Sequence, residues 1–237
     1  TGGAAALAGA ILLGARTGRF DKSGAAKPMK PFAASSIPLV TVGVFILWLG
    51  WFGFNGGSQL AMGTFDDAVA VSNIFINTNL AACGGVLAAA VMTRLLAGKT
   101  DVVQMLNGAI GGLVAITAEP LAPAPIAAIF IGAIGGIIVV FGTKLLFNFK
   151  IDDVVGAVPA HLFAGIWGTL AVPLTNSDAN FSAQLIGVIS INAFVFVVAF
   201  IVWSIMKNTM GIRLSKEAEL KGTDVTETGV IAYAIRD

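Results

Sequence analysis

The sequence predicts an all-α fold, a polytopic membrane helix bundle, and three observations carry that prediction. Of 237 residues, 57% are apolar and only 11% charged, against about 25% charged in soluble domains. Apolar segments fall at about 37 to 54, 74 to 97, 102 to 118, 126 to 147, 154 to 172 and 183 to 206. Each spans, or nearly spans, a hydrocarbon layer about 30 Å thick. The links between them are short and carry turn chemistry: FDKSGAAKPMKP, GGSQLAMGTFDD, AGKTD, EPLAPAP, FKIDD and PLTNSDAN.

Residues 1 to 15, beginning TGGAAALAGAILLG, read as the tail end of a further, truncated span whose upstream residues are expected to lie outside this chain. They lack the basic n-region and cleavage site of a signal peptide. Residues 1 to 209 are expected to form the membrane domain, and residues 210 to 237 a polar tail. All 14 cations fall on one side of this topology: Arg16, Arg19, Lys22, Lys27 and Lys30, then Arg94 and Lys99, then Lys144 and Lys150, then Lys207, Arg213, Lys216, Lys221 and Arg236. The opposite links hold Asp66, Asp67, Glu119 and Asp178. Because cytoplasmic loops retain Lys and Arg, the tail is expected to be cytoplasmic.

A net charge of +1 with no basic cluster gives no argument for nucleic acid. Cys83 is the single cysteine and reads as a small packing residue. The runs GAIGGLVA, GAIGGIIV and ACGGVLAAA read as surfaces for close helix packing in lipid. They lack the strand and acidic residue that a dinucleotide-binding loop needs.

His161, the only histidine, lies in IDDVVGAVPAHLFAGIWGT. If its helix begins near Asp153, the ring sits about 12 Å in, toward the middle of the layer. An ionisable group there is costly, so it is either a hydrogen-bonded structural residue or part of a pathway. On an α-helix it shares a face with Ala157, Ala164, Gly165 and Gly168. Pro159 should bend this helix or free a carbonyl. Asp152 and Asp153 read as structural caps of its start. No second histidine or cysteine pair stands at ligand spacing, so no metal is expected, nor any cofactor.

WLGWFGFNGGS ends the second span with Trp48, Trp51, Phe52, Phe54 and Ser58. These are either an interfacial aromatic belt or a pore mouth whose aromatic faces attract a small cation, with Ser58 adding a hydroxyl. Asn77, Thr78, Asn79 and Asn107 suit bonds between helices, and Glu119 reads as a cap or loop charge. No nucleophile, base and orienting group share a face, so an enzyme is not expected.

WFGFNGGS, NGAIGGLVAIT, IDDVVGAVPAHLFAGIWGT and MGIRLSKEAELKGTDV, in this order and spacing, resemble the ammonium transporter (Amt/Mep/Rh) family. The resemblance implies a fold of eleven helices built as two inverted five-helix repeats, of which this chain looks like the end of helix five through helix eleven. It implies a homotrimer in the inner (plasma) membrane, with one pore per subunit and a cytoplasmic C-terminus. By the same resemblance His161 is the second of two pore histidines, the first lying just before Thr1. Phe54 is one of two gating phenylalanines, Ser58 the serine of an external ammonium site, and Trp51 lies on the same pathway. A further tryptophan and an aspartate of that site belong to the part outside this chain. The tail would dock a PII signalling protein. An ammonium sensor and an Rh-type gas channel are the alternatives. In two places the motif departs: the family's common DVFGVHG is GAVPAHL here, and TETG stands for the more usual SEHG.

Overall fold

The computed structural model describes residues 1–20 and 32–232. Its helices are α1 (Gly2–Leu13), α2 (Ile37–Gly57), α3 (Phe65–Ala97), α4 (Val102–Thr117), α5 (Pro125–Asn148), α6 (Val158–Leu174), α7 (Phe181–Thr209) and the short α8 (Lys216–Lys221). Among the described residues α2, α3, α5 and α7 are long and apolar enough to cross a membrane. Lys22, Lys27, Lys30 and Arg236 lie outside the described residues.

Local chemistry sets the ends. Ser36 accepts from the Leu39 amide at 3.3 Å to start α2, and Asp101 does the same for Gln104 at 3.1 Å in α4. Asn180 caps α7 through Ser182 at 2.9 Å. α3 starts earlier than its apolar run, at Phe65 rather than residue 74. Thr64 and Asp67 exchange hydrogen bonds as a capping box, each at 3.1 Å. Asp66 and Asp67 therefore belong to a helix's first turn, not to a loop.

The core is α3, α4 and α5 in contact nearly backbone to backbone. A Cβ on Gly85 or Gly136 would meet the backbone of the facing helix, Gly108 for the first and Gly85 for the second. Gly112 and Gly132 both press against Ala81. Small residues let helix backbones approach where lipid supplies no hydrophobic drive, so the glycine runs are packing surfaces. Around them Leu113, Val139, Ala82 and Ala109 are almost fully buried. By contrast α2 buries only Val44, Asn55 and Gly56, and α7 buries nothing.

α6 corrects two expectations. It begins at Val158, not near Asp153, because Gly156 turns the chain with φ +76°. Asp153 caps this start: its carboxylate accepts from the amides of Gly156 and Ala157 at 3.0 Å and Val158 at 2.7 Å. Asp152 is not a cap. It is buried, and takes the Arg16 side chain at 2.7 and 2.9 Å and the Arg16 amide at 3.0 Å, with Arg19 at 3.3 Å. Burial pushes its carboxyl upward, but the Arg16 hydrogen bonds outweigh that and hold it below its ordinary range.

The second correction concerns the first turn of α6, which is π-helical over Val158–Phe163. Pro159 has no N–H to give, and the Val155 carbonyl instead accepts from Asn107 of α4 at 3.0 Å. The wider turn rotates the later residues, so Ala157 and Gly165 stay on the side of His161 while Ala164 and Gly168 are buried away from it. A Cβ on Gly168 would meet the backbone of Ala115 in α4.

The depth of His161 consequently rests on α1 rather than on its own helix. Gly3 has no room for a Cβ because the Leu162 backbone fills that space. From Gly3 to the end of α1 at Leu13 is about 15 Å, half the thickness of a hydrocarbon layer.

The cation-bearing end of α1 is tied to the tail. Lys207 donates to the Leu12 carbonyl at 2.7 Å and Arg213 to that of Leu13 at 3.0 Å. Glu219 of the tail accepts from the Thr17 amide at 2.8 Å, the Thr17 hydroxyl at 2.9 Å and Arg213 at 2.8 Å. The Arg213 and Thr17 hydrogen bonds push the Glu219 carboxyl down to about 2 from an ordinary 4.5. A depressed carboxyl stabilises the docked tail fully above its ordinary pKa and loses that contribution as pH falls from 4.5 toward 2. Limited proteolysis between Arg213 and Lys221 should therefore stay slow from pH 7 to pH 5 and accelerate below about 4. Glu219→Gln should make it fast at every pH.

Candidate functional site: an aromatic and histidine cleft

An open cleft of about 650 Å³ runs between α1, the end of α2, α4, α6 and α7. His161 stands exposed on its wall, flanked by Leu162 and Gly165 of α6 and Val114 of α4. At the end nearest the α2 and α4 C-termini the wall is made by Trp51, Phe54 and Thr117. Apolar surface dominates the cleft as a whole.

Trp51 is held in place. Its indole Nε1 donates to the Thr117 hydroxyl at 2.7 Å, and that hydroxyl donates to the Leu113 carbonyl at 2.7 Å. The ring is therefore held at one end of a hydrogen-bonded chain that runs from Trp51 through Thr117 to the α4 backbone. Phe54 packs on it with centroids 5.9 Å apart and planes tilted by 58°, and is itself 64% exposed. Next to Phe54 in the chain, Asn55 is buried and donates to Thr78 of α3 at 3.0 Å, which fixes the rotation of α2. Asn77 fixes the loop between α4 and α5 by donating to the carbonyls of Pro120 and Pro123 at 3.0 and 2.8 Å. Glu119 lies in that loop and accepts from Leu121, Ala122 and Asn176, a structural use of its charge.

The structure thus brings Trp51, Phe54 and His161 to one cleft. Ser58 stands one turn beyond Phe54, outside the lining, with its hydroxyl donated to the Phe54 carbonyl at 3.1 Å. Trp48 faces a different groove, stacked on Phe45 at 6.2 Å. Sequence reasoning did not single out Gln184 and Asn192 of α7 as lining residues, nor Thr117 as the partner of Trp51. Gln184, Gly187, Val188 and Ile191 do follow helical spacing, and that stripe is the signal that could have found them. Among the described residues no three His, Cys, Asp or Glu side chains are placed to hold a metal.

Such a bundle of apolar helices around a sparsely polar cleft defines a polytopic membrane protein. The sequence model described as the Ammonium Transporter Family matches residues 1–233. The chain is 38% identical to the ammonium transporter Amt2 of Archaeoglobus fulgidus over 98% of its own length and 52% of that protein. It is 32% identical to ammonium transporter 1 member 1 of Arabidopsis thaliana, over 100% of this chain and 52% of that one. Among solved structures it resembles a sensor Amt protein with TM-score 0.87 at 30% identity, over 95% of this chain and 57% of the other. It also resembles Candida albicans Mep2 with TM-score 0.77 at 27% identity, over 91% and 50%. The chain belongs to the ammonium transporter family, a family of transporters rather than enzymes. It spans about half the length of the curated relatives it matches.

Proposed function

We propose that the complete protein, to which this chain contributes the cleft wall, recruits NH4+ at an outer aromatic mouth and passes NH3 along the cleft, the proton moving separately. The observation that carries this reading is the shared cleft of Trp51, Phe54 and His161. Aromatic faces attract a small cation by about 0.5 to 2 kcal/mol without requiring it to be fully paired. Beyond them the wall is mainly apolar, and an unpaired cation in such a medium costs several kcal/mol, whereas its conjugate base does not. K+ has no proton to leave behind and is excluded. His161 then supplies one of the few hydrogen-bonding groups on the path and a route for the separate proton.

In the same reading Ser58 joins the outer ammonium site, and residues 1 to 209 are the membrane domain. Residues 210 to 237 form a cytoplasmic tail available to a PII protein. The protein is a homotrimer of the inner membrane, and the one-sided cations support a cytoplasmic tail. Likeness to a sensor Amt protein supports a second reading, in which the occupied cleft signals through the tail.

Electrical recording from the full-length protein on a supported membrane separates the two. Ammonium pulses should evoke saturable currents and K+ pulses none. A silent protein that still binds ammonium would favour the sensor, and a flux without charge movement would favour a gas channel.

A further inference from the structure

A second groove lies on the lateral surface of α5, apart from the cleft. It measures about 530 Å³ and is walled by Ile138, Phe141 and Leu145 of α5 and Phe163 of α6, with Lys144 and Asn148 at one end. Lys144 comes 19 residues after Pro125, the first residue of α5, or about 28 Å along the axis. In a layer about 30 Å thick this brings its ammonium to headgroup level, on the side where the cations collect. Phe141 and Leu145 are 45% and 46% exposed, so no described residue of this chain covers the groove.

We propose that this groove seats an anionic phospholipid, with an acyl chain along Phe141, Leu145 and Phe163 and the phosphate on Lys144 and Asn148. The apolar wall alone would take the chain of any lipid. A cation and an amide donor, one helical turn apart at the headgroup end, select a negative one. The lysine stem lies along the apolar wall and carries its charge outward to the phosphate.

The site bears on the pathway helix. Gly142 has no room for a Cβ because the Phe163 ring and Pro159 fill that space. Phe163 is thereby clamped against α5 two residues from His161, inside the π turn. A chain seated on its free side completes the clamp and holds α6 in its π-turned form.

The test uses the full-length protein in nanodiscs with Phe141→Trp as reporter, read against the same protein without the reporter. Brominated phosphatidylglycerol should quench the added fluorescence at a several-fold lower mole fraction than brominated phosphatidylcholine. Lys144→Gln in the same background should erase that difference, and both side chains are exposed, so folding is not at stake. Equal quenching by the two lipids would overturn the proposal in favour of a non-selective annulus. Absence of quenching by either would overturn it in favour of a second copy or another part of the protein covering the groove. A preference that survives Lys144→Gln would also overturn it.

Discussion

His161→Ala in the complete protein is expected to lower ammonium uptake roughly tenfold or more, and His161→Glu to lower it while admitting K+. The ring stands on a wall that is otherwise mainly apolar around it, between Leu162, Gly165 and Val114. Removing it takes away hydrogen bonding worth about 1–3 kcal/mol to a solute with few other partners there, and 1.4 kcal/mol is a factor of ten. The glutamate instead fixes a negative charge at mid-depth, which lowers the barrier to any small cation. Uptake of labelled methylammonium and of Rb+ as a K+ analogue, normalised to folded protein in the membrane, reads both effects. Unchanged rate together with unchanged exclusion would remove His161 from the pathway.

Gly136→Val should cause a large loss of stability. Its Cβ would meet the Gly85 backbone, and backbone cannot swing aside as a flexible side chain can. Overpacking of this kind costs about 1–3 kcal/mol, occasionally more. Gly43→Ala is the matched control, since nothing lies within 4 Å of the added carbon. Thermal melting of the purified full-length protein should show a clear drop for the first and none for the second. If both melt alike, the close approach of α3 and α5 is wrong.

Much of this architecture was legible in the chain because lipid makes strong demands on composition. Apolar runs long enough to span became helices nearly where expected, and GAIGG became packing surface because only glycine allows that approach. Asn77, Thr78 and Asn107 tie helices and loops together as their polar character in apolar runs implied, whereas Asn79 stays exposed.

Other features depended on contacts far apart in sequence. Asp152 and Asp153 look alike as neighbours, yet one caps α6 and the other is claimed by Arg16, 136 residues away. Local capping rules cannot see that partner. The start of α6 was missed for a related reason: Gly156 reads as an ordinary small residue until its positive φ and the Asn107 side chain pressed against it are known. Pro159 announced a disturbance, but not that a π turn would keep Gly165 beside His161 and turn Gly168 away. The aromatic cluster at the end of α2 divided similarly. Trp51 and Phe54 face the cleft while Trp48 does not, and what decides is the rotation of α2 fixed by Asn55 on Thr78.

The central claim is that the cleft holding Trp51, Phe54 and His161 is the route of the transported species. Gly165→Cys tests it most directly, because residue 165 lines the cleft and its added carbon finds only Val114, at 3.5 Å. With Cys83 and any other cysteine of the full-length protein replaced by Ala, methylammonium uptake is measured before and after reaction with a small methanethiosulfonate. Near-complete loss on modification, restored by reducing the mixed disulfide, is the predicted result. Uptake at the unmodified rate, with the thiol shown by mass spectrometry to be fully modified, would contradict it.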